Sequence, residues 1–211
     1  NPTASGVAIE AEPDGHSDDV KALVTFVDPA TGALRVTTGS KDGIRVWDAE
    51  TGGGLLVIEV GSSVCALAFF VDPATGGPRI SCGSTDGKVR VFDAVAGGEA
   101  LVVLEGHTDW VWALAFFTDP ATGTPRLVSG SIDKTARVFN PVAGGKALVV
   151  IDVGSEVLRL AVFADPATGA LRIACGCDDD KVHIYDPVAG GEALVVLEGH
   201  TGSVWALTVF E

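Results

Sequence analysis

The chain has 211 residues and a net charge of −14, with 28 acidic side chains against 14 basic ones. That balance argues against nucleic acid or an anionic membrane as partner, since phosphates would be repelled over the whole surface. An apolar content of 47% with only 20% charged residues excludes a disordered chain, and 27 glycines with 10 prolines suit short strands and many turns better than long helices.

No apolar run approaches the roughly 18 residues of a membrane-spanning helix; Val64–Val71 is only strand length. The four cysteines, Cys65, Cys82, Cys175 and Cys177, show no disulfide-framework spacing. They are expected as buried thiols, which points to a cytoplasmic protein. No signal peptide is visible at the start. The chain begins at Asn1 and contains no Met, so it is expected to be a piece of a longer or processed protein.

Taken in order, the chain repeats itself with a period of about 46 residues. Asp-Pro recurs at Asp28, Asp72, Asp119 and Asp165, and an aromatic followed by Asp or Asn at Trp47, Phe92, Phe139 and Tyr185. After an N-terminal segment 1–14, the repeats are 15–60, 61–105, 106–153 and 154–198, and 199–211 begins another. In the third copy Val111–Phe117, Arg126–Ser129, Ala136–Phe139 and Ala147–Ile151 read as strands, separated by turn-forming runs such as Asp119–Gly123. No segment holds helical periodicity, so each repeat is expected to fold as one four-stranded antiparallel sheet. Asp28/Arg35, Asp72/Arg79, Asp119/Arg126 and Asp165/Arg172 are expected to pair across the first hairpin of each sheet. Val7–Glu12 reads as an outer strand of a preceding sheet and Ser203–Phe210 as the inner strand of an unfinished one.

The copies alternate. Gly-His opens those at Gly15-His16, Gly106-His107 and Gly199-His200, whereas Gly-Ser stands at Gly61-Ser62 and Gly154-Ser155. Thr38 and Ser129 fall in copies with His; Cys82 and Cys175 fall in copies without it.

GHTDWV followed by LVSGSIDKTARVFN, at 106–140, resembles the WD40-repeat pattern of Gly-His near the start and Trp-Asp near the end. The resemblance runs from residue 15 to 211. It implies an all-β WD40-type β-propeller of four-stranded antiparallel blades, with four full repeats and partial terminal strands. Four blades are fewer than a closed ring of this family usually has, so the ring is expected to be completed by further blades of a longer chain or by self-association, unless it stays open. The resemblance also implies a buried hydrogen-bond network per blade: His16, Thr38, Asp42 and Trp47 in the first, and His107, Ser129 and Asp133 in the third, where Phe139 replaces Trp. A buried imidazole needs both nitrogens satisfied, and an Asp with a hydroxyl does that. His200 is read in the same structural role. The gap from Asp42 to Trp47 is one residue shorter than its counterparts, which predicts a distorted first network. In the copies that lack the opening Gly-His, Asp86 and Asp179 are expected to serve their turns through backbone hydrogen bonds.

By the same resemblance the chain is a non-enzymatic scaffold that binds protein or peptide partners on the face made by its inter-blade loops and its turns between second and third strands. That face maps to Asp19 and Lys21, Ser63 and Cys65, Trp110 and Trp112, Glu156 and Leu158, and Ser203 and Trp205. The turns add Lys41, Thr85, Ile132 and Asp178. Contact is assigned to Trp110, Trp112, Ile132 and Trp205, with Asp19, Lys21 and Leu158 around them, because indoles bury much area at little entropic cost. For Trp112 and Trp205, packing between blades is an equal reading. The alternative function is structural self-assembly into a ring or filament through the open blade ends. Cys175-Gly-Cys177, Asp178–Asp180 and His183 offer ligand-type residues, but the matching positions elsewhere are plain strand residues, so no metal and no cofactor is expected. Nor does any other Ser/His/Asp or Cys/His set suggest catalysis.

Overall fold

The structure, a computed structural model, describes residues 15–209. Among them every regular element is a strand, and the strands form four antiparallel sheets, each a simple meander. The first sheet holds β1 (Ala22–Val27), β2 (Leu34–Ser40), β3 (Gly43–Asp48) and β4 (Gly54–Ile58). The second holds β5 (Val64–Val71), β6 (Pro78–Ser84), β7 (Val89–Asp93) and β8 (Gly97–Leu104). The third holds β9 (Val111–Thr118), β10 (Pro125–Ser131), β11 (Thr135–Phe139) and β12 (Val149–Asp152). The fourth holds β13 (Val157–Ala164), β14 (Leu171–Cys177), β15 (Val182–Tyr185) and β16 (Val195–Leu197).

Sheets stack face to face in chain order through their first strands, so β1 lies against β5, β5 against β9, and β9 against β13. The first and fourth sheets are not packed together, and the ring stays open. Apolar residues on both faces of the inner strands follow from this stacking: β5 is buried along most of its length, whereas β16 is exposed throughout. The core is accordingly three inter-sheet layers, with Ile44, Val64 and Phe92 in one, Val89, Val111 and Phe139 in the next, and Val138, Val157 and Tyr185 in the third. Phe26 stacks on Phe69 across the first layer and Phe70 on Phe116 across the second, at centroid separations of 4.6 and 5.1 Å.

One glycine per sheet sets how closely the layers meet. A Cβ on Gly39, Gly83, Gly130 or Gly176 would run into Val64, Val111, Val157 or Val204 of the next unit. None of these four needs a left-handed backbone; what excludes a side chain is the neighbouring strand.

Several expectations need correction. The Asp-Pro turns are held first by their own aspartates: Asp28 accepts from the Ala30 N–H at 3.0 Å and the Thr31 hydroxyl at 2.7 Å. Arg35 and Arg79 lie between two carboxylates, contacting Asp48 and Asp93 more closely than Asp28 and Asp72. Arg172 pairs with Asp186 at 3.5 Å, and its ion pair with Asp165 does not form. Only Arg126 has the expected Asp119, at 3.2 Å, as its sole ion-pair partner among the described residues, because Asn140 replaces the second carboxylate. Residues 203–209 are not a strand: the Val204 N–H reaches the Cys177 carbonyl at 3.0 Å, but no further strand of that unit pairs with them among the described residues. His200 is exposed, since the sheet that would enclose it is absent from the described residues. Val7–Glu12 lies outside the described residues.

Candidate interaction face

The loop face is built by an irregularity that alternation does not reveal. Val111 pairs with Ser131 and Ala113 with Gly130, so Trp112 is the extra residue of a β-bulge. Cys65 and Leu158 occupy the same place in β5 and β13. A bulge re-aims its extra side chain. The loop ahead of each inner strand is pinned to the turn after the second strand: Ile132 N–H donates to the Trp110 carbonyl at 3.0 Å, and Asp178 N–H to the Glu156 carbonyl at 3.1 Å.

The result is an open groove of about 390 Å³ lined by Asp109, Trp110, Trp112, Ile132, Glu156, Leu158, Asp178 and Trp205. Five of the seven contact residues expected from the sequence therefore share one surface. The indoles form a chain, with Trp110 to Trp112 at 6.0 Å and Trp112 to Trp205 at 6.1 Å, the second pair edge-on. Trp110 is 43% exposed and Trp205 53%, while Trp112 is half-buried between them. Leu158, 2% exposed, is a floor residue beneath the groove.

Asp19 and Lys21 do not join this groove. Lys21 lines a separate cleft of about 220 Å³ on the inner edge, shared with residues of all four first strands. The Asp19 carbonyl accepts the Ser40 hydroxyl at 2.8 Å, and Asp19 lines neither cavity. Two residues were not anticipated. Asp109 joins Glu156 and Asp178 in giving the groove three carboxylates. Arg159 sits with its guanidinium 5.5 Å from the Trp205 ring centroid, and burial lowers its pKa. The first, second and third copies carry Ala22, Ala66 and Ala113 at that inner position, and this departure was the signal available in the sequence.

The buried networks support the face rather than form part of it. In the first sheet His16 Nδ1 is 2.5 Å from Asp42 and Nε2 is 2.7 Å from the Thr38 hydroxyl, which accepts from Trp47 Nε1 at 2.8 Å. With Nδ1–H given to Asp42, Nε2 accepts from Thr38, and every group in the chain is satisfied. The first network is thus undistorted. Thr38 pairs with Arg45 as Ser129 pairs with Arg137, so the missing residue is confined to the turn, where Gly43 takes a φ of +111°. Burial alone would raise the Asp42 carboxyl, but the Ser17 N–H and the His16 ring outweigh it and hold it at about 2. In the third sheet His107 meets Asp133 at 2.8 Å and Ser129 at 2.7 Å. Burial pushes the His107 pKa down against the opposing pull of Asp133.

In the two sheets whose repeats lack the Gly-His start the aspartate does more than brace its turn. Asp86 accepts the Lys88 N–H at 3.1 Å and also pairs with Arg90 at 2.6 Å. Asp179 accepts the Lys181 N–H at 3.3 Å and meets His183 Nε2 at 2.9 Å. One ligand-type atom from each of Cys177, Asp179 and His183 lies within 4.8 Å of the others. All four cysteines are free and buried, and no helix among the described residues is long and apolar enough to cross a membrane.

Two stretches of the chain, residues 57–93 and 98–140, match the family model described as WD domain, G-beta repeat. The second match begins within β8 and ends just after β11, so a sequence repeat joins the outer strand of one sheet to the inner three of the next. No curated protein matches the chain.

Proposed function

The chain belongs to the WD40-repeat family, and from that premise we propose that its groove of three indoles receives a protein or peptide segment carrying basic and apolar side chains. WD40 repeats generally mediate protein–protein scaffolding, and such proteins are generally non-enzymatic. The observation that carries the finer reading is the groove itself: Trp110, Trp112 and Trp205 face solvent together beside Asp109, Glu156 and Asp178. Indole faces attract cations and bury apolar groups, and the carboxylates add long-range attraction for a basic segment. The same charge argues against nucleic acid and anionic membranes as partners.

The test is a peptide array varying in charge and aromatic content, read by direct binding and by Trp fluorescence. Peptides pairing Lys or Arg with an apolar residue are expected to bind, less tightly as salt rises. Trp110→Ala and Trp112→Ala are each expected to weaken them by about 1–2 kcal/mol or more. Array binding left unchanged by the double variant would refute the assignment.

A second reading, assembly through the open blade faces, is supported by the far side of the fourth sheet. There Ala161, Phe163, Ile184 and Leu207 pack only partly around Val204, while Leu23 and Val27 of β1 are exposed at the other end. Sedimentation over a range of concentrations separates the two readings, since a monodisperse monomer throughout would remove self-assembly.

A further inference from the structure

We propose that Cys177, Asp179 and His183 bind a divalent transition metal of the zinc type, with water completing a four-coordinate site. The four sheets of this chain act as comparisons for one another. At the end of the second strand the first three sheets carry Ser40, Ser84 and Ser131, and the fourth carries Cys177. At one third-strand position the first three carry Arg45, Arg90 and Arg137, and the fourth carries His183. The aspartate is common to all: Asp42, Asp86, Asp133 and Asp179. Thus the two departures, hydroxyl to thiol and guanidinium to imidazole, both fall in one sheet around one carboxylate. Each replaces a poor ligand by a good one for zinc-class ions.

The geometry agrees. The three donor atoms already lie within 4.8 Å of one another. Bond lengths of about 2.0–2.3 Å around a tetrahedral ion require donors about 3.3–3.8 Å apart, so closure takes roughly an ångström of side-chain motion. His183 Nε2 already faces the Asp179 carboxylate at 2.9 Å, and its ring lies nearly parallel to that of Tyr185 at a centroid separation of 6.4 Å. Cys177 is buried, His183 half-buried and Asp179 partly exposed, leaving one side open to solvent as entry path and source of the fourth ligand. On binding, the thiol releases its proton to solvent as the metal–sulfur bond forms. A simple replacement of the Arg90–Asp86 pair by His183–Asp179 explains the imidazole; the Cys177 thiol lies in the core between the third and fourth sheets and donates to the Cys175 carbonyl at 3.4 Å, a contact it gives up to reach the ion. Cys175, the other half of the sequence pair, lies opposite His183 in the ladder and outside the donor set.

The experiment is a Co²⁺ titration of the whole chain under reducing, chelator-free conditions, followed by displacement with Zn²⁺. A saturable one-to-one signal with a thiolate-to-cobalt charge-transfer band and tetrahedral ligand-field bands is expected. His183→Arg restores the side chain of the other three sheets and keeps an ion pair to Asp179, and Cys177→Ser restores their hydroxyl. Both are expected to fold, as checked by circular dichroism, yet to lose the charge-transfer band and weaken binding by about 10-fold or more. No saturable band, binding without a thiolate band, or a band unchanged in either folded variant would each overturn the site.

Discussion

Replacing Gly83 with Ala probes the contact that sets the spacing of the sheets. A Cβ at Gly83 would stand 2.6 Å from Val111 Cγ1, 3.0 Å from Val111 Cβ and 2.9 Å from the Val111 carbonyl oxygen. Favourable carbon–carbon contact begins at about 3.5 Å, so Cγ1 must retreat by about 0.9 Å. A rotamer change does not achieve this, because valine is stiff at χ1 and two of the three offending atoms do not move with it. The second and third sheets must therefore separate locally, an overpacking penalty of about 1–3 kcal/mol. Lower entropy of the unfolded chain returns about 0.4–1 kcal/mol, leaving a net loss of about 1–2 kcal/mol. Urea unfolding followed by Trp fluorescence measures it. Gly202→Ala, where a Cβ meets nothing within 4 Å, is the matched control and is expected to be neutral. In a double-mutant cycle, Val111→Ala should recover part of the loss, with a coupling of about 0.5–1.5 kcal/mol, but not all of it, because the carbonyl contact remains. Gly83→Ala as stable as the starting protein would refute the account of the spacing.

Thr38→Val keeps shape but strands both Trp47 Nε1 and His16 Nε2; a loss of about 2–4 kcal/mol in chemical unfolding is expected, with Thr38→Ser nearly neutral. Acid should weaken the fold through His107 and Asp133. His107 has a folded pKa below its ordinary 6.5 because burial outweighs Asp133, so the unfolded chain takes up the proton first and stability falls as pH drops below about 6.5. Asp133 is also lowered, its Thr135 and His107 bonds outweighing burial, so a second loss follows as pH falls through 3.8 toward its folded value. Unfolding free energies between pH 7 and 5 should decline less steeply in His107→Gln. Asn140→Asp supplies the carboxylate that the other sheets place near the Arg126 position; a gain of about 0.2–1 kcal/mol, reduced by added salt, is expected from thermal melts.

Much of this protein is local and was readable as such. Strand positions follow from apolar runs bounded by Asp-Pro and Gly turns, as the run Val111–Phe117 illustrates, and the partners of His107 were implied by the resemblance to the WD40-repeat pattern. The groove was half legible. The resemblance to WD40 repeats implied one face for Trp110, Trp112, Ile132, Leu158 and Trp205, but nothing in their order says that they touch while Lys21 and Asp19 stand apart. That depends on the bulges, which re-aim Trp112 and Leu158, and on residues 203–209, which pack on the far side of the fourth sheet and bring Trp205 to 6.1 Å from Trp112.

The sequence by itself determined the β fold and the number of sheets, because each is settled within a repeat by periodicity and turn chemistry. Only the tertiary structure decided that Gly83 is required by a neighbouring strand rather than by its own backbone, that the first network survives a shortened turn, and that Cys177 rather than Cys175 meets His183. These are distances between segments far apart in the chain, set by how strands pair and sheets stack, and no local pattern carries them.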